Sequence, residues 1–281
     1  MRVAAIFLFC LTLVVSTNVC AQTVGPENGS LVIVGGAMRD PAIVQRFLEL
    51  AGGPDSKIVV IPTAGGRDEY EADWSGLTQF RSAGATDVSV LHTTNREVAD
   101  SDEFVAAIES ASGLWFTGGR QWRLVDAYAG TKTEEALWRL LERGGVIGGS
   151  SAGATIQGSY LVRGDTETNT VMMGDHEVGF GFLKNVGIDQ HLLRRNRHFD
   201  MLEIMEAHPE LLGIGIDENT AIVVQGDEFE VIGETYVVIY DTERRIDTGG
   251  DFYFLDVGDR FNLVTREAKR GNGNVPRVVH R

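Results

Sequence analysis

The most informative stretch of this sequence, for both the fold and the function, is Gly145-Val146-Ile147-Gly148-Gly149-Ser150-Ser151-Ala152-Gly153-Ala154. It passes from an apolar strand into a segment that favours the start of a helix. A serine at such a tight turn, with small residues on both sides, is exposed as a nucleophilic hydroxyl. Free backbone N–H groups at the helix start lie beside it, where an oxyanion would develop. Taken alone, the pattern Gly149-x-Ser151-x-Gly153 is typical of an α/β-hydrolase.

Upstream of this turn, short apolar strands alternate with helical segments. The predicted strands cover 30–34, 57–62, 87–91, 113–117 and 146–147, and the predicted helices cover 41–51, 73–83, 104–110 and 133–143. This alternation is typical of βαβ units whose mostly parallel sheet is covered on both faces. We therefore predict an α/β fold, a three-layer sandwich, with its site at the carboxyl ends of the strands.

From Leu212 onward the pattern changes to closely spaced strands joined by glycine-containing turns. The predicted strands are 213–216, 221–224, 228–232, 236–240 and 252–255. They indicate a mixed or antiparallel C-terminal extension of the same sheet. We predict a single domain over residues 22–265, followed by a basic and loosely ordered tail over residues 266–281.

The N-terminus has the features of a secretory signal peptide over residues 1–21. An apolar run over 3–15 is too short to span a bilayer, and small residues at 19–21 offer a cleavage point. The protein is therefore predicted to be exported, to the periplasm or the medium, with no membrane attachment after cleavage; a lipid anchor at Cys20 is the alternative. Both cysteines, Cys10 and Cys20, lie in this segment, which excludes a cysteine hydrolase and thiolate metal sites in the mature chain.

The composition also narrows the partners. The chain has 25 Lys and Arg against 40 Asp and Glu, a net charge of −15, which disfavours nucleic acid and anionic membranes. The run Asp175-His176-Glu177 resembles a metal site in composition, but adjacent loop residues rarely chelate one ion together. We predict no metal and no cofactor. The sequence leaves the oligomeric state open, including a homodimer.

A nucleophilic serine needs a base and an acid that orients the base. Of the six histidines, His191 is the best placed, because it follows an apolar run at a predicted strand end. Glu218 follows another predicted strand end on the same edge. We predict the order Ser151, His191, Glu218, with the backbone N–H groups of Gly119 and Ala152 converging on the oxyanion.

Cationic side chains follow this histidine closely, at Arg194, Arg195 and Arg197. Guanidinium groups suit bidentate recognition of carboxylates, so they indicate a substrate carboxylate beside the scissile bond. The alternative is a cationic patch at a helix start that pairs with nearby acids.

Two other functions stay open at this point. In α/β-hydrolases the acid and the histidine follow the serine in that order, which would make His280 the base of an esterase. The chain would otherwise be an exported binding protein that has kept the fold and lost catalysis.

Four motifs together carry a family resemblance: Phe116-Thr117-Gly118-Gly119-x-Gln121, Gly149-x-Ser151-Ala152-Gly153-Ala154, Asp189-Gln190-His191 and Gly215-Ile216-Asp217-Glu218-x-Thr220-Ala221. In this order, over about 31–240, the chain resembles the cyanophycinase and dipeptidase E family of serine peptidases. The resemblance implies a fold like that of class I glutamine amidotransferases, with serine in place of their cysteine. It also implies Ser151 as the nucleophile, His191 as the base and Glu218 as the orienting acid.

The resemblance further implies a substrate pocket lined by Gln121, Asp189, Gln190, Arg195 and Arg197. The substrate it implies is a peptide: cyanophycin, an aspartate backbone with arginines on its side-chain carboxyls, or a β-aspartyl peptide. Two positions depart from the family pattern, since Asp200 replaces a third arginine and Arg120 replaces an acidic or amide residue. Both change the charge near the expected pocket and leave the hydrolytic residues unchanged. We therefore predict a secreted serine peptidase that acts at aspartyl or β-aspartyl residues.

Overall fold

The computed structural model describes residues 23–243 and 250–271, so the predicted signal peptide and His280 lie outside the described residues. The strands are β1 Ser30–Val34, β2 Lys57–Ile61, β3 Asp87–Val90, β4 Gly113–Phe116, β5 Val146–Ser150, β6 Gly158–Tyr160, β7 Leu183–Gln190, β8 Leu212–Ile216, β9 Thr220–Gln225, β10 Glu228–Gly233, β11 Val237–Asp241, β12 Tyr253–Leu255, β13 Arg260–Asn262 and β14 Glu267–Lys269. The helices are α1 Pro41–Ala51, α2 Thr78–Ser82, α3 Arg96–Ala99, α4 Asp102–Glu109, α5 Trp122–Tyr128, α6 Lys132–Glu142, α7 Ala152–Thr155 and α8 Met201–Ala207.

The larger sheet contains, within the described residues, nine strands in the order β14-β13-β10-β9-β1-β5-β4-β2-β3. The strands β1, β5, β4, β2 and β3 are parallel. The strands β9, β10, β13 and β14 continue the sheet as antiparallel neighbours beyond β1. The predicted α/β class with a C-terminal extension is thereby confirmed.

Both faces of the parallel strands are covered. Successive residues of a strand point to opposite faces, and in β1 Leu31 packs in the core that contains Leu137 of α6, whereas Val32 packs in the core that contains Phe47 of α1. Burial on two faces explains why these strands are continuous apolar runs in the sequence.

The helix boundaries follow from capping residues that the sequence displays. In α1, Asp40 accepts the N–H of Ala42, Pro41 is the first helical residue, and Gly52 ends the helix with a φ of 107°. The helices α1 and α6 have 11 residues each. No helix of the described chain combines the length and the apolarity that a bilayer crossing requires.

The smaller sheet has the order β12-β11-β8-β7-β6. The interpretation that every strand after Leu212 extends one sheet is therefore wrong for β8, β11 and β12, which pair with one another and with β7. The chain changes sheets at Asn219, whose φ of 56° is a left-handed conformation that asparagine tolerates. Strands of either sheet have the same spacing and the same apolar pattern, so the sequence gives no signal of this change.

The larger sheet continues beyond the predicted domain boundary at residue 265. The strand β14 pairs with β13. Arg266 and Arg270 form ion pairs with Asp241 and Asp259 at 2.8 and 2.6 Å. The first residues of the predicted tail, 266–271, are thus an edge of the sheet, and the rest of the tail lies outside the described residues.

Candidate active site

Ser151 occupies the sharp turn between β5 and α7. Its φ of 58° and ψ of −113° lie outside the regions that L-residues favour. Such a conformation costs on the order of 1–3 kcal/mol and persists only where the surroundings hold it. Here the carbonyl of Ser151 accepts the N–H groups of Ala154 and Thr155. The turn therefore presents a partly exposed hydroxyl at a strand end, as predicted.

Three side chains form one hydrogen-bonded chain at this turn. Ser151 Oγ lies 2.9 Å from His191 Nε2, and His191 Nδ1 lies 2.8 Å from Glu218 Oε1. Because a carboxylate only accepts, Nδ1 carries the imidazole proton and Nε2 is free to accept the serine proton. The structure brings the three predicted residues together in the predicted order, whereas His280, the base of the esterase interpretation, lies outside the described residues.

The end of β1 holds the three segments together. The successive carbonyls of residues 34–36 accept the N–H groups of Ser151, His191 and Asn219 at 3.0, 2.8 and 2.8 Å. Gly36 has a φ of 134°, and a Cβ added there would lie 2.3 Å from His191 Cε1, so only glycine fits beneath the imidazole. The sequence gives no signal of these bonds, because the bonded residues lie far apart in the chain.

His191 and Glu218 meet because β7 and β8 are parallel neighbours, with Gln190 opposite Ile216. The residues that follow the two strands therefore emerge on the same edge. This edge belongs to the smaller sheet and abuts the carboxyl edge of the larger one, so His191 and Glu218 lie beside Ser151 although they follow strands of a second sheet.

The two predicted oxyanion donors flank the nucleophile. Ala152 is the first residue of α7, and a Cβ added to Gly118 would lie 3.3 Å from Ser151 Cβ, so the glycine loop after β4 lies against the serine. Gly119 has a φ of 146°, and a Cβ there would lie 2.0 Å from the Ala64 carbonyl oxygen. Within the described residues, neither Gly119 nor Ala152 donates its backbone N–H to a protein acceptor. Their joint role as an oxyanion hole stays a prediction.

The electrostatic surroundings keep His191 neutral. Burial lowers the pKa of its imidazole, the hydrogen bond to Glu218 opposes this, and the positive charges of Arg195 and Arg197 lower it further. A neutral imidazole at neutral pH is the form that accepts a proton. The cations predicted to bind substrate thus also act on the base.

The residues predicted to line the pocket differ in exposure. Arg195 is exposed, whereas Arg197 is half-buried and donates from Nη1 to the backbone and side-chain oxygens of Gln190 at 3.2 and 3.3 Å. Gln121 is buried, and its Nε2 donates to the carbonyls of residues 162 and 163, both at 2.7 Å. The amide nitrogen of Gln121 is used within the protein, and its contact with substrate stays a prediction.

Asp189 is fully buried against an arginine that the sequence analysis missed. Arg163 donates from Nε to Asp189 Oδ1 at 2.9 Å and from Nη2 to Asp189 Oδ2 at 3.1 Å. The same Nη2 donates to Asp200 Oδ2 at 2.6 Å. These partners lie 26 and 37 positions from Arg163 in the sequence, so no local pattern announced them. The contact of Asp189 with substrate also stays a prediction.

Two further contacts of acidic residues lie close to His191. Asp217 Oδ1 accepts the N–H groups of Leu193 and Arg194 at 3.0 and 2.9 Å and so fixes the turn after His191. Arg39 Nη1 lies 3.8 Å from Glu218 Oε2. Asp217 stood in a recognised motif without a role, and Arg39 had no sequence signal.

The remaining singled-out residues contact the loop over 164–178. Arg120 donates from Nη1 to the Thr168 carbonyl at 2.9 Å, so its charge is directed to this loop. His176 lies 2.8 Å from Asp126 Oδ1 and 3.6 Å from Asp175 Oδ1. Among the described residues, no group of three or more His, Cys, Asp and Glu is arranged to hold a metal ion.

Comparison with known sequences gives a consistent family. Residues 31–232 match Peptidase family S51. A cyanophycinase from Geminocystis herdmanii is 33% identical over 265 residues, which cover 87% of this chain and 97% of that protein. A cyanophycinase from a Nostoc species is 31% identical over 259 residues, which cover 84% of this chain and 86% of that protein.

Solved structures agree with these sequence matches. A crystal structure of a peptidase from an acI-B1 Actinobacterium has a TM-score of 0.66 and 26% identity, covering 85% of this chain and 98% of that chain. A putative peptidase E protein from Listeria monocytogenes EGD-e has a TM-score of 0.54 and 18% identity, covering 74% of this chain and 99% of that chain, and shows the fold alone. The mixed sheet with helices on both faces is consistent with the predicted class I glutamine amidotransferase-like architecture.

Proposed function

Since the chain belongs to peptidase family S51, we propose that it hydrolyses peptides at aspartyl or β-aspartyl residues through an acyl-enzyme on Ser151. Its motifs predicted this family, and its cyanophycinase and peptidase relatives make it a serine-type peptidase. The observation that carries the proposal is the hydrogen-bonded chain from Ser151 Oγ through His191 to Glu218.

In this reaction Ser151 Oγ attacks the carbonyl carbon while His191 Nε2 takes the hydroxyl proton. Glu218 holds the Nδ1 proton and stabilises the imidazolium that forms. The oxygen of the tetrahedral intermediate becomes negative beside the N–H groups of Gly119 and Ala152, which are free to donate to it. The C–N bond then breaks as the imidazolium gives its proton to the leaving amine. Water, deprotonated by His191, attacks the remaining ester and frees Ser151.

The charge around the base supports an acidic substrate group. Arg195 and Arg197 lie close enough to His191 to lower its pKa, and within the described chain neither forms an ion pair with a carboxylate, whereas Arg163 pairs with two. An aspartyl or β-aspartyl residue carries a carboxylate close to the carbonyl that is cleaved, which a guanidinium recognises well. Because two of the relatives are cyanophycinases, cyanophycin is included among the substrates to be tested.

The test is a substrate panel for the purified protein: cyanophycin, α- and β-aspartyl dipeptides, and the matched asparaginyl dipeptides, with products identified by mass. We expect hydrolysis of aspartyl but not asparaginyl substrates, and none by a Ser151→Ala control. If a fluorophosphonate labels Ser151 but no aspartyl substrate is hydrolysed, the proposed substrate class is contradicted. Absence of labelling in folded protein would contradict catalysis and favour a binding protein.

We also propose that the protein is exported, on the strength of the signal-peptide features of residues 1–21. Expression of the full chain in a bacterial host, followed by fractionation and N-terminal sequencing, should yield a mature form that begins at Gln22. A matched variant, Leu11→Lys with Leu13→Lys, interrupts the apolar run and should stay in the cytoplasm unprocessed. An unprocessed cytoplasmic parent would contradict export.

A further inference from the structure

Carboxylates lie close to Arg195 and Arg197, yet each is bound to another group. Burial lowers the pKa of Arg197, and Asp189 and Asp200 are near enough to oppose this lowering. Asp189 and Asp200 both bind Arg163, and Asp189 Oδ1 also accepts the N–H of Gln190. Asp217 accepts the N–H groups of residues 193 and 194 and the Thr235 hydroxyl, and Glu218 binds His191. Although the chain has a large excess of acids, the two cations beside the base have no acidic partner among residues 23–243 and 250–271.

Arg163 explains why the nearby carboxylates do not pair with Arg195 and Arg197. Its side chain is 2% exposed, and besides the bonds to Asp189 and Asp200 its Nη1 donates to the Asn169 carbonyl at 3.2 Å. Its backbone is fixed as well, because its carbonyl accepts the Gln121 amide and its φ is 57°. A planar guanidinium donates in several directions at once, so one buried cation serves two carboxylates.

The side chain of Asp200 binds Arg163 rather than the N-terminus of its own helix. It occupies the N-cap position of α8, where an aspartate normally accepts a backbone N–H of the first turn. No such side-chain bond is present here, and the carboxylate turns to Arg163 instead. Its side chain is 38% exposed, so it has room to reach other cations when Arg163 is removed.

Arg197 is the cation that would be reached first. It is half-buried, and within the described part of the chain its side-chain hydrogen bonds go to the neutral oxygens of Gln190. Burial lowers the pKa of its guanidinium, and the charges of Arg163 and Arg195 lower it further. A partly desolvated cation without an anion is unfavourable by itself, and such groups cluster where a charged ligand binds.

We propose that Arg163 is a specificity-determining positioning residue: by holding Asp189 and Asp200, it keeps Arg195 and Arg197 free to bind a carboxylate of the substrate. This inference rests on the proposed function for the substrate class and concerns the charge preference of the site. Without Arg163, Asp200 turns to Arg197 and competes with the substrate carboxylate. Asp189 is fixed on β7 and cannot follow.

The test measures binding by calorimetry in a Ser151→Ala background, where nothing is hydrolysed. The two ligands are β-aspartyl-alanine amide and its analogue with the aspartyl α-carboxylate converted to a carboxamide. We expect the parent to bind the acid at least about tenfold more tightly than the amide. Adding Arg163→Gln should reduce this preference below about threefold, and adding Asp200→Asn to that variant should restore most of it.

The controls separate this role from a structural one. Equal weakening of both ligands by Arg163→Gln, or no recovery with Asp200→Asn, would overturn the inference. Asp200→Asn alone keeps the Arg163–Asp189 pair and should preserve or increase the preference; a decrease would also overturn it. If Arg163→Gln does not fold in a thermal melt, Arg163→Lys replaces it, because an ammonium pairs with Asp189 but does not bridge to Asp200. A parent that binds neither ligand would instead contradict the proposed substrate class, and the inference with it.

Discussion

The nucleophile and the base of this site are built in different ways. Ser151 directly follows a strand of the larger sheet, and the small residues that shape its turn lie within 145–154. His191 follows a strand of the smaller sheet, and its two partners lie 40 and 27 positions away in the chain. The nucleophile is therefore a local property of the sequence, whereas the position of the base depends on how two sheets meet at residues 34–36.

The largest effect on activity should come from substitution of the nucleophile, which the local sequence positions. Ser151→Ala removes the attacking oxygen, and we expect kcat to fall by about 10⁶, as in serine hydrolases whose nucleophile is removed. Alanine, like serine, has a Cβ and can keep the turn at a φ of 58°, so the melting temperature should change little. Hydrolysis of an aspartyl dipeptide measures kcat, with Ser150→Ala as the neighbouring control that should stay active. Equal losses in both variants would show a damaged turn rather than a lost nucleophile.

The second-largest effect should come from substitution of the acid that orients the base, a partner distant in the chain. Glu218→Gln keeps the size of the side chain but removes the anion that holds the His191 Nδ1 proton, so we expect kcat to fall by about 10⁴. The exposed Glu234→Gln, on the turn between β10 and β11, is the matched control and should keep full activity. A wild-type rate for Glu218→Gln would show that another acid orients the imidazole.

These two halves also mark how far the sequence could lead. The boundaries of β1 and α1 were predicted because apolar period, Asp40, Pro41 and Gly52 are all local signals. The residues of the catalytic chain followed from strand ends, since parallel neighbours share an edge.

What the sequence could not predict is long-range. Membership of β8 in a second sheet has no signature in its five residues, which are buried throughout like those of β1. Arg163 looked like any loop arginine, because a buried ion pair is defined by partners that only the fold brings together. Asp200 was recognised as a departure from a pattern, but its partner was visible only in the structure.

The third effect acts where the two halves join. Gly36→Ala places a Cβ 2.3 Å from His191 Cε1, so the imidazole must move. Because displacement of a catalytic group by about 1 Å reduces turnover by about 10², we expect a loss of that order in kcat. Gly53→Ala is the matched control: its φ of 105° imposes a similar backbone cost, but nothing lies within 4 Å of the added Cβ.

The backbone cost of about 1–2 kcal/mol in the free energy of unfolding applies to both glycine variants, and the contact with His191 adds to it in Gly36→Ala; denaturant titration measures both losses. Only Gly36→Ala should lose activity. If Gly53→Ala lost as much kcat as Gly36→Ala, general destabilisation would explain the effect, and the end of β1 would have no special place in holding the base.

The smallest effect concerns the charge beside the base. The positive charge of Arg195 contributes to lowering the pKa of His191, so Arg195→Gln should raise that pKa. His191 accepts a proton only when neutral, and a raised pKa leaves more of it protonated at a given acidic pH. The acid limb of reactivity should therefore move to higher pH.

The rate of fluorophosphonate labelling of Ser151 against pH measures this limb without a substrate carboxylate, so a lost contact between Arg195 and substrate does not enter. Arg194→Gln is the matched control, since it removes an exposed neighbouring charge that is not among the influences on His191, and its acid limb should coincide with that of the parent. An unmoved limb in Arg195→Gln would mean that burial, Glu218 and Arg197 set the basicity of His191 without Arg195. A shift in the expected direction would show that the charge of Arg195 adjusts the basicity of His191.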